Sequence, residues 1–262
     1  MNLHTLVCGD APLIVDVPHA GTFVPADLAA RFTPAARAVP DTDWHVEKLY
    51  AFAVRAGITL VAATHSRYVV DLNRDPSGAA LYPGADNTEL CPTRTFDNAA
   101  IYAGAPPDDA EVAARRAAYW DPYHAVLAAE IARVRARHGW AVVLDGHSIR
   151  AEVPRFFAGR LPDLNLGTVG GGACAPSLRE AAASVLASAA GFTHVVDGRF
   201  KGGWITRHHG RPEAGVHALQ LEVAQSCYMD EAPPYRWDPA RAAALVVVLE
   251  RLVQALAGWR PR

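Results

Sequence analysis

Two histidines stand where short apolar runs give way to polar residues, His19 in VDVPHAG and His147 in VVLDGHSI. A late apolar run, HALQLEV, carries Gln220 and Glu222, and PDTDWH places Asp41 and Asp43 between the first two runs. Two imidazoles and one carboxylate from separate elements make up the ligand set of many hydrolytic zinc sites, which keep one position open for water. Zinc lowers the pKa of that water to about 7. A carboxylate outside the metal shell, here Glu222, can then take a proton and return it to a leaving amine. Either Asp41 or Asp43 could be the acidic ligand. His45 and Glu47 are further alternatives, although on a helix His45 does not share a face with Asp43, and Glu47 lies about one turn on.

A rival chemistry runs through Ser148, because Gly146-His147-Ser148 resembles the start of a nucleophile elbow. That elbow needs G-x-S-x-G for its sharp strand-to-helix turn. Here the last place is Arg150, which weakens the serine reading and favours His147 as a ligand.

The remaining chemistry is cationic. THSRYVVDLNRD holds Arg67 followed by Asp71-Leu72-Asn73-Arg74, and GRFKGGWITRHHG brings Lys201, two glycines, Thr206 and Arg207. Glycines let the backbone approach a ligand, and arginine offers a planar fork for carboxylates. Such convergence in a near-neutral chain, 25 Lys and Arg against 27 acids, points to a small anionic molecule rather than to nucleic acid or a membrane surface. DLNLGT, with Asn165, reads as a polar turn that completes the pocket.

These residues need a frame. LIVDV (13–17), ITLVAAT (58–64), YVVDL (68–72), AVVLDG (141–146), THVVDG (193–198) and HALQLEV (217–223) read as strands, several apolar on both faces as in a mostly parallel sheet. Between them, DWHVEKLYAFAVRAG, PSLREAAASVLASAAG and DPARAAALVVVLERLVQALAG carry helix start and stop signals. Leu245, Leu249, Leu252 and Leu256 form a stripe that can pack on the sheet. Pro122 predicts two helices meeting at Asp121. His208 and His209 read as a solvated loop. The segment 75–107 is long enough to cover an active site. The whole reads as one α/β domain over 1–262, in which ligands collect beyond the carboxyl ends of the strands. The N-terminal stretch lacks the pattern of a secretory signal, no apolar run approaches the ~20 residues of a membrane span, and the four cysteines form no C-x-x-C. A cytoplasmic location is expected.

The stretches VDVPHAGTFVP, DTDWHVEKLY, SRYVVDLNRDP, LDGHSI, DLNLGT, FKGGWITRHHG and ALQLEVAQSCYMDE, in this order, resemble the N-formylglutamate amidohydrolases from about residue 12 to 231. The resemblance implies a three-layer α/β/α fold with a mostly parallel mixed sheet, of the phosphorylase/hydrolase type shared with zinc carboxypeptidases. It also implies hydrolysis of N-formyl-L-glutamate to formate and L-glutamate, the last step of one histidine-degradation route. His19, Asp43 and His147 would then hold a divalent metal, Zn2+ by expectation, with Asp41 as second choice and Glu222 as general base. Arg67 or Arg207 would stabilise the oxyanion. Asn73 with Arg74, by likeness to a carboxypeptidase stretch, and Lys201 would bind the two carboxylates. Asp71, Asn165 and Thr206 complete the expected substrate side. The partner is a small anionic substrate, and the chain is expected to be a monomer or small homo-oligomer. The alternatives are a metal-dependent deacylase of another N-acyl acidic amino acid or small peptide, and a non-catalytic acidic amino-acid binding protein. The second needs neither the paired histidines nor Glu222.

Overall fold

The computed structural model describes residues 2–81 and 84–261, so Tyr82 and Pro83 of the expected 75–107 cover lie outside the described residues. The apolar runs form β1 (His4–Val7), β2 (Leu13–Val17), β3 (Thr59–Ala63), β4 (Ala141–Ile149), β5 (Leu164–Gly167), β6 (His194–Val196) and β7 (Val216–Ala224). They make one sheet in the order β1-β3-β2-β4-β7-β5-β6. The pairs β2–β3, β2–β4, β4–β7 and β5–β6 are parallel, while β1–β3 and β5–β7 are antiparallel.

The helices are α1 (Ala26–Ala29), α2 (Pro34–Arg37), α3 (Val46–Leu49), α4 (Ala51–Arg55), α5 (Asp109–Arg115), α6 (Asp121–His138), α7 (Pro176–Ala187), α8 (Trp204–His209) and α9 (Pro239–Gly258). Because side chains alternate along a strand, each central strand serves two cores. Leu13, Val15, Val17, Val142, Leu144, Leu219 and Leu221 meet residues of α3, α4, α7 and α9 on one face. Ile14, Ala141, Val143 and Ala218 meet residues of α6 and Ile205 of α8 on the other. The result is the expected three-layer arrangement around a mixed, mostly parallel sheet. In α9 the expected stripe Leu245, Leu249, Leu252 and Leu256 is fully buried. Each such leucine contributes roughly 1.5–3 kcal/mol by leaving water. Asp238 starts this helix by accepting from the backbone N–H groups of Ala240 and Arg241.

Four local expectations change. YVVDL at 68–72 is a turn, not a strand. Ser66 Oγ accepts from Tyr68 N, and Asp71 Oδ1 accepts from Asn73 N at 2.9 Å, so side chains take the hydrogen bonds a ladder would use. DLNLGT contains strand β5: Leu164 and Leu166 enter the core while Asn165 turns to the opposite face. A new α-helix does start at Asp121 with Pro122 in its first turn, but without a capping side chain: a π-helical turn, Arg116–Trp120, joins α5 to α6. His208 and His209 end α8, where His208 stacks on Trp204 with ring centroids 4.0 Å apart.

Candidate metal and catalytic site

His19 lies two residues beyond β2, and its carbonyl accepts from Asp43 N at 3.1 Å. His147 lies inside β4, and Asp43 Oδ2 accepts from Ser148 N at 3.0 Å. These backbone ties bring the three side chains together. His147 Nδ1 is 3.1 Å and His19 Nδ1 3.8 Å from Asp43 Oδ2, and the imidazole centroids are 4.8 Å apart. Ligand atoms held about 2.0–2.2 Å from one tetrahedral ion sit roughly 3.3 Å from each other, so this spacing suits a shared cation. All three residues are buried.

Behind each imidazole stands another carboxylate. Asp71 Oδ1 is 2.7 Å from His19 Nε2, and Asp145 Oδ1 is 2.7 Å from His147 Nε2. This is the outer layer that fixes ring orientation around metal-bound histidines and leaves the other nitrogen for the ion. Burial and the Arg67 guanidinium hold His19 below the usual histidine range, against the pull of Asp71 and Asp43. Burial opposes charge on His147 too, but Asp145 and Asp43 outweigh it and raise this ring well above that range. Two nitrogens and one carboxylate, each backed by its own partner, fit a divalent metal. Asp41 is settled otherwise: its Oδ2 accepts from Tyr68 OH and Phe96 N. His45, in left-handed backbone conformation, bonds through Nε2 to the Tyr235 carbonyl.

Glu222 pairs in register with His147 across β4–β7, so both project from the same face. It lines the same cavity as the three candidate ligands. Burial raises its carboxyl to about 8, with the His147 imidazole pulling the other way. Gln220, two residues earlier and therefore on the same face, donates from Nε2 to Glu222 Oε2 at 3.2 Å and accepts from Gly203 N through Oε1 at 2.6 Å. Gln220 was quoted from the sequence but given no role; the period-two spacing from Glu222 was the available signal.

Arg67 is buried beside the cluster, bonded to Asp71 Oδ2 at 2.6 Å and 3.6 Å from Asp43 Oδ1. Arg74 also lines the cavity, its Nε held by the carbonyl and hydroxyl of Thr88. Asn73 reaches the cavity, but its amide is committed: Oδ1 accepts from Ile205 N, and Nδ2 donates to Asp145 Oδ2. Asp71 and Thr206 stand behind the histidines, Thr206 donating to Asp145 at 3.2 Å. Asn165 Nδ2 donates to the Glu222 carbonyl at 3.2 Å, so it braces the strand. Two expected cations do not come to the cavity wall. Lys201 is exposed, and Arg207 of α8 donates from Nε to the Gly202 carbonyl. Arg199, passed over in the sequence, does line it. Ser148 lines it as well, with its Oγ 2.7 Å from Tyr228 OH and 3.4 Å from Gln225 Nε2. From the 75–107 segment, Asp86, Asn87, Thr88 and Phe96 reach the cavity.

The family model of N-formylglutamate amidohydrolase matches residues 11–229. The chain belongs to the N-formylglutamate amidohydrolase family. An N-formylglutamate deformylase of Pseudomonas aeruginosa is 46% identical over 252 residues, 96% of this chain and 94% of that protein. A Pseudomonas putida protein of the same name is 44% identical over the same shares of both chains. The crystal structure of an N-formylglutamate amidohydrolase from Ralstonia eutropha JMP134 superposes with a TM-score of 0.81 at 28% identity, covering 98% of each chain. The amidohydrolase match therefore spans the segments that supply His19, Asp43, Arg67, Arg74, His147 and Glu222. Among the described residues no helix is long and apolar enough to cross a membrane.

Proposed function

We propose that this protein hydrolyses N-formyl-L-glutamate to formate and L-glutamate with the help of a divalent metal, the closing step of a histidine-degradation route. The observation that carries the reading is the buried His19–Asp43–His147 cluster facing the same cavity as Glu222, Arg67 and Arg74. The named activity of relatives sharing nearly half of its residues over almost its whole length supports the substrate.

His19, Asp43 and His147 would hold the ion, and Zn2+ suits two imidazoles and one carboxylate. When bound, such an ion supplies Lewis acidity for the formyl carbonyl and lowers the pKa of water toward 7. Glu222 takes the proton of the attacking water as the new C–O bond forms at the formyl carbon. Gln220 holds one Glu222 oxygen, leaving the other to face that water. Arg67, next to Asp43, stabilises the charge that develops on the formyl oxygen. Glu222 then passes its proton to the amine nitrogen while the C–N bond breaks. Arg74 holds a substrate carboxylate, and the aromatic and apolar wall limits water around the reacting carbon.

Formate release by purified protein, measured before chelation, after chelation and after returning Zn2+, tests this reading. Turnover of N-formyl-L-glutamate should vanish with the metal and recover with it. N-acetyl-L-glutamate, one methyl larger, should be slower by about 1–3 kcal/mol in barrier. Full activity in metal-free protein, or no formate under any condition, would overturn the proposal.

A further inference from the structure

We infer that Arg199 reads the side-chain carboxylate of the substrate and so sets the preference for acidic over neutral N-formyl amino acids. The inference rests on the deformylase reading and adds to it the residue that selects the side chain.

The argument begins with Gly167, at the end of β5. A Cβ there would lie 2.7 Å from Gly202 N and 2.9 Å from the Phe200 carbonyl oxygen, so only glycine lets the 200–202 backbone lie against the strand. Val169 N bonds to the Lys201 carbonyl at 2.6 Å and pins the same stretch. With the path fixed, Lys201 is exposed, and Arg199 lines the cavity that holds the candidate metal ligands and Glu222. Arg199 is placed there by two further contacts. Its Nε donates to the Phe156 carbonyl at 2.8 Å, and its guanidinium lies 5.4 Å from the Phe200 ring centroid. A fork oriented before binding loses little freedom when it meets a carboxylate.

Charge on this wall favours an anion. Besides Asp43 and Glu222 at the candidate metal end, Asp86 lines the cavity, held by Arg155 through both oxygens at 2.9 Å, so its charge is already matched. The rings of Phe96 and Phe156 meet edge to face at 5.0 Å, offering an apolar flank for side-chain methylenes. Arg74 serves a different end of the substrate. Its Nη1 donates to the carbonyl of Asn73 and its Nε to Thr88, and in this assignment it takes the α-carboxylate. Arg199 is carried by another loop, against Phe156 and Phe200, and in this assignment it takes the distal carboxylate.

The test compares kcat/KM for N-formyl-L-glutamate and N-formyl-L-glutamine, which differ only in the charge of the side-chain terminus. Arg199→Met should lower the first by on the order of ten- to a hundredfold, the value of a charge-assisted bond, and leave the second within about twofold. Arg199→Lys should restore part of the preference. An equal fall for both substrates, or an unchanged ratio, would overturn the inference. Calorimetric binding of L-glutamate and L-glutamine gives a readout without turnover. Arg199-dependent discrimination between these two with no deformylation rejects the reaction but keeps the assignment. Deformylation with discrimination that survives Arg199→Met rejects the assignment alone.

Discussion

Replacing Glu222 by glutamine changes one oxygen for nitrogen in a position that is buried and in register with His147. The Gln220 amide donates to one Glu222 oxygen, and a glutamine carbonyl can accept the same bond, so the side chain should keep its place. What goes is the ability to accept a proton. General base catalysis is worth about 10²–10⁴ in rate, or roughly 2.7–5.4 kcal/mol at 1.36 kcal/mol per decade. Glu222→Gln should therefore lose that factor in formate release while retaining metal by elemental analysis. Stability should move the other way. Burial raises the Glu222 carboxyl to about 8, far above a solvated glutamate, so the folded metal-free protein binds a proton that the unfolded chain gives up. The stability carried by that protonated carboxyl is complete below the unfolded pKa near 4.5 and is lost as pH rises through 8. Glutamine removes the dependence, so the metal-free variant should melt above metal-free wild type at pH 8, with the gap closing toward pH 4. A rate within tenfold of wild type would remove Glu222 from proton transfer, whatever the melting curves show.

Three other perturbations probe the surroundings. Asp145→Asn weakens the partner that orients His147 and should reduce metal affinity about 10- to 100-fold in competition with a chelator; unchanged affinity would show that Asp145 does not support the ligand. Gly203→Ala places a Cβ 2.4 Å from the Asn73 amide, which already bonds Asp145 and Ile205, and should cost about 1–3 kcal/mol in urea unfolding along with much of the activity; an unaltered midpoint would contradict this packing. At Asp197, burial raises the carboxyl, but bonds from Thr168, Gly170 N and Arg179 outweigh it and leave it below the usual range. Its contribution is thus present above the unfolded pKa near 3.8 and lost as pH falls through the lower folded value; Asp197→Asn should melt below wild type at pH 7, and a gap that persists undiminished at pH 2–3 would refute the assignment.

The candidate cluster could be picked out in part because His19 and His147 lie where apolar runs give way to polar residues, at strand ends that a ligand can reach. Asp41 and Asp43 could not be separated by spacing. Their fates depend on Tyr68 and Ser148, residues far along the chain that bond to one and the other. YVVDL misled because its apolar residues do enter the core, with Val69 and Val70 both buried, yet Ser66 and Asp71 take over the backbone bonds. DLNLGT misled in the opposite sense: its polar look hid a Leu-Asn-Leu alternation whose two leucines face the core. Lys201 and Arg199 are two residues apart in one basic stretch, and composition ranks them equally. What separates them lies outside the stretch: the backbone 200–202 packs on Gly167 of β5, and the Phe156 carbonyl holds Arg199 at the cavity.

Sheet register places several residues of the candidate site. Asp16 pairs with Asp145, Asp145 with Gln220, and Gln220 with Gly167, which makes one row across four strands. His147 pairs with Glu222 and Glu222 with Asn165, which makes a second row two residues further along β4. Both rows face away from the core formed by Leu144, Leu219, Leu221 and Leu166. A slip of one residue in β7 would send Glu222 into that leucine layer and carry Leu221 to the place beside His147. The apolar residues that alternate with the functional ones therefore specify the site. Burying Leu219, Leu221 and Val223 on one face fixes Gln220 and Glu222 on the other, independently of the polar bond between them.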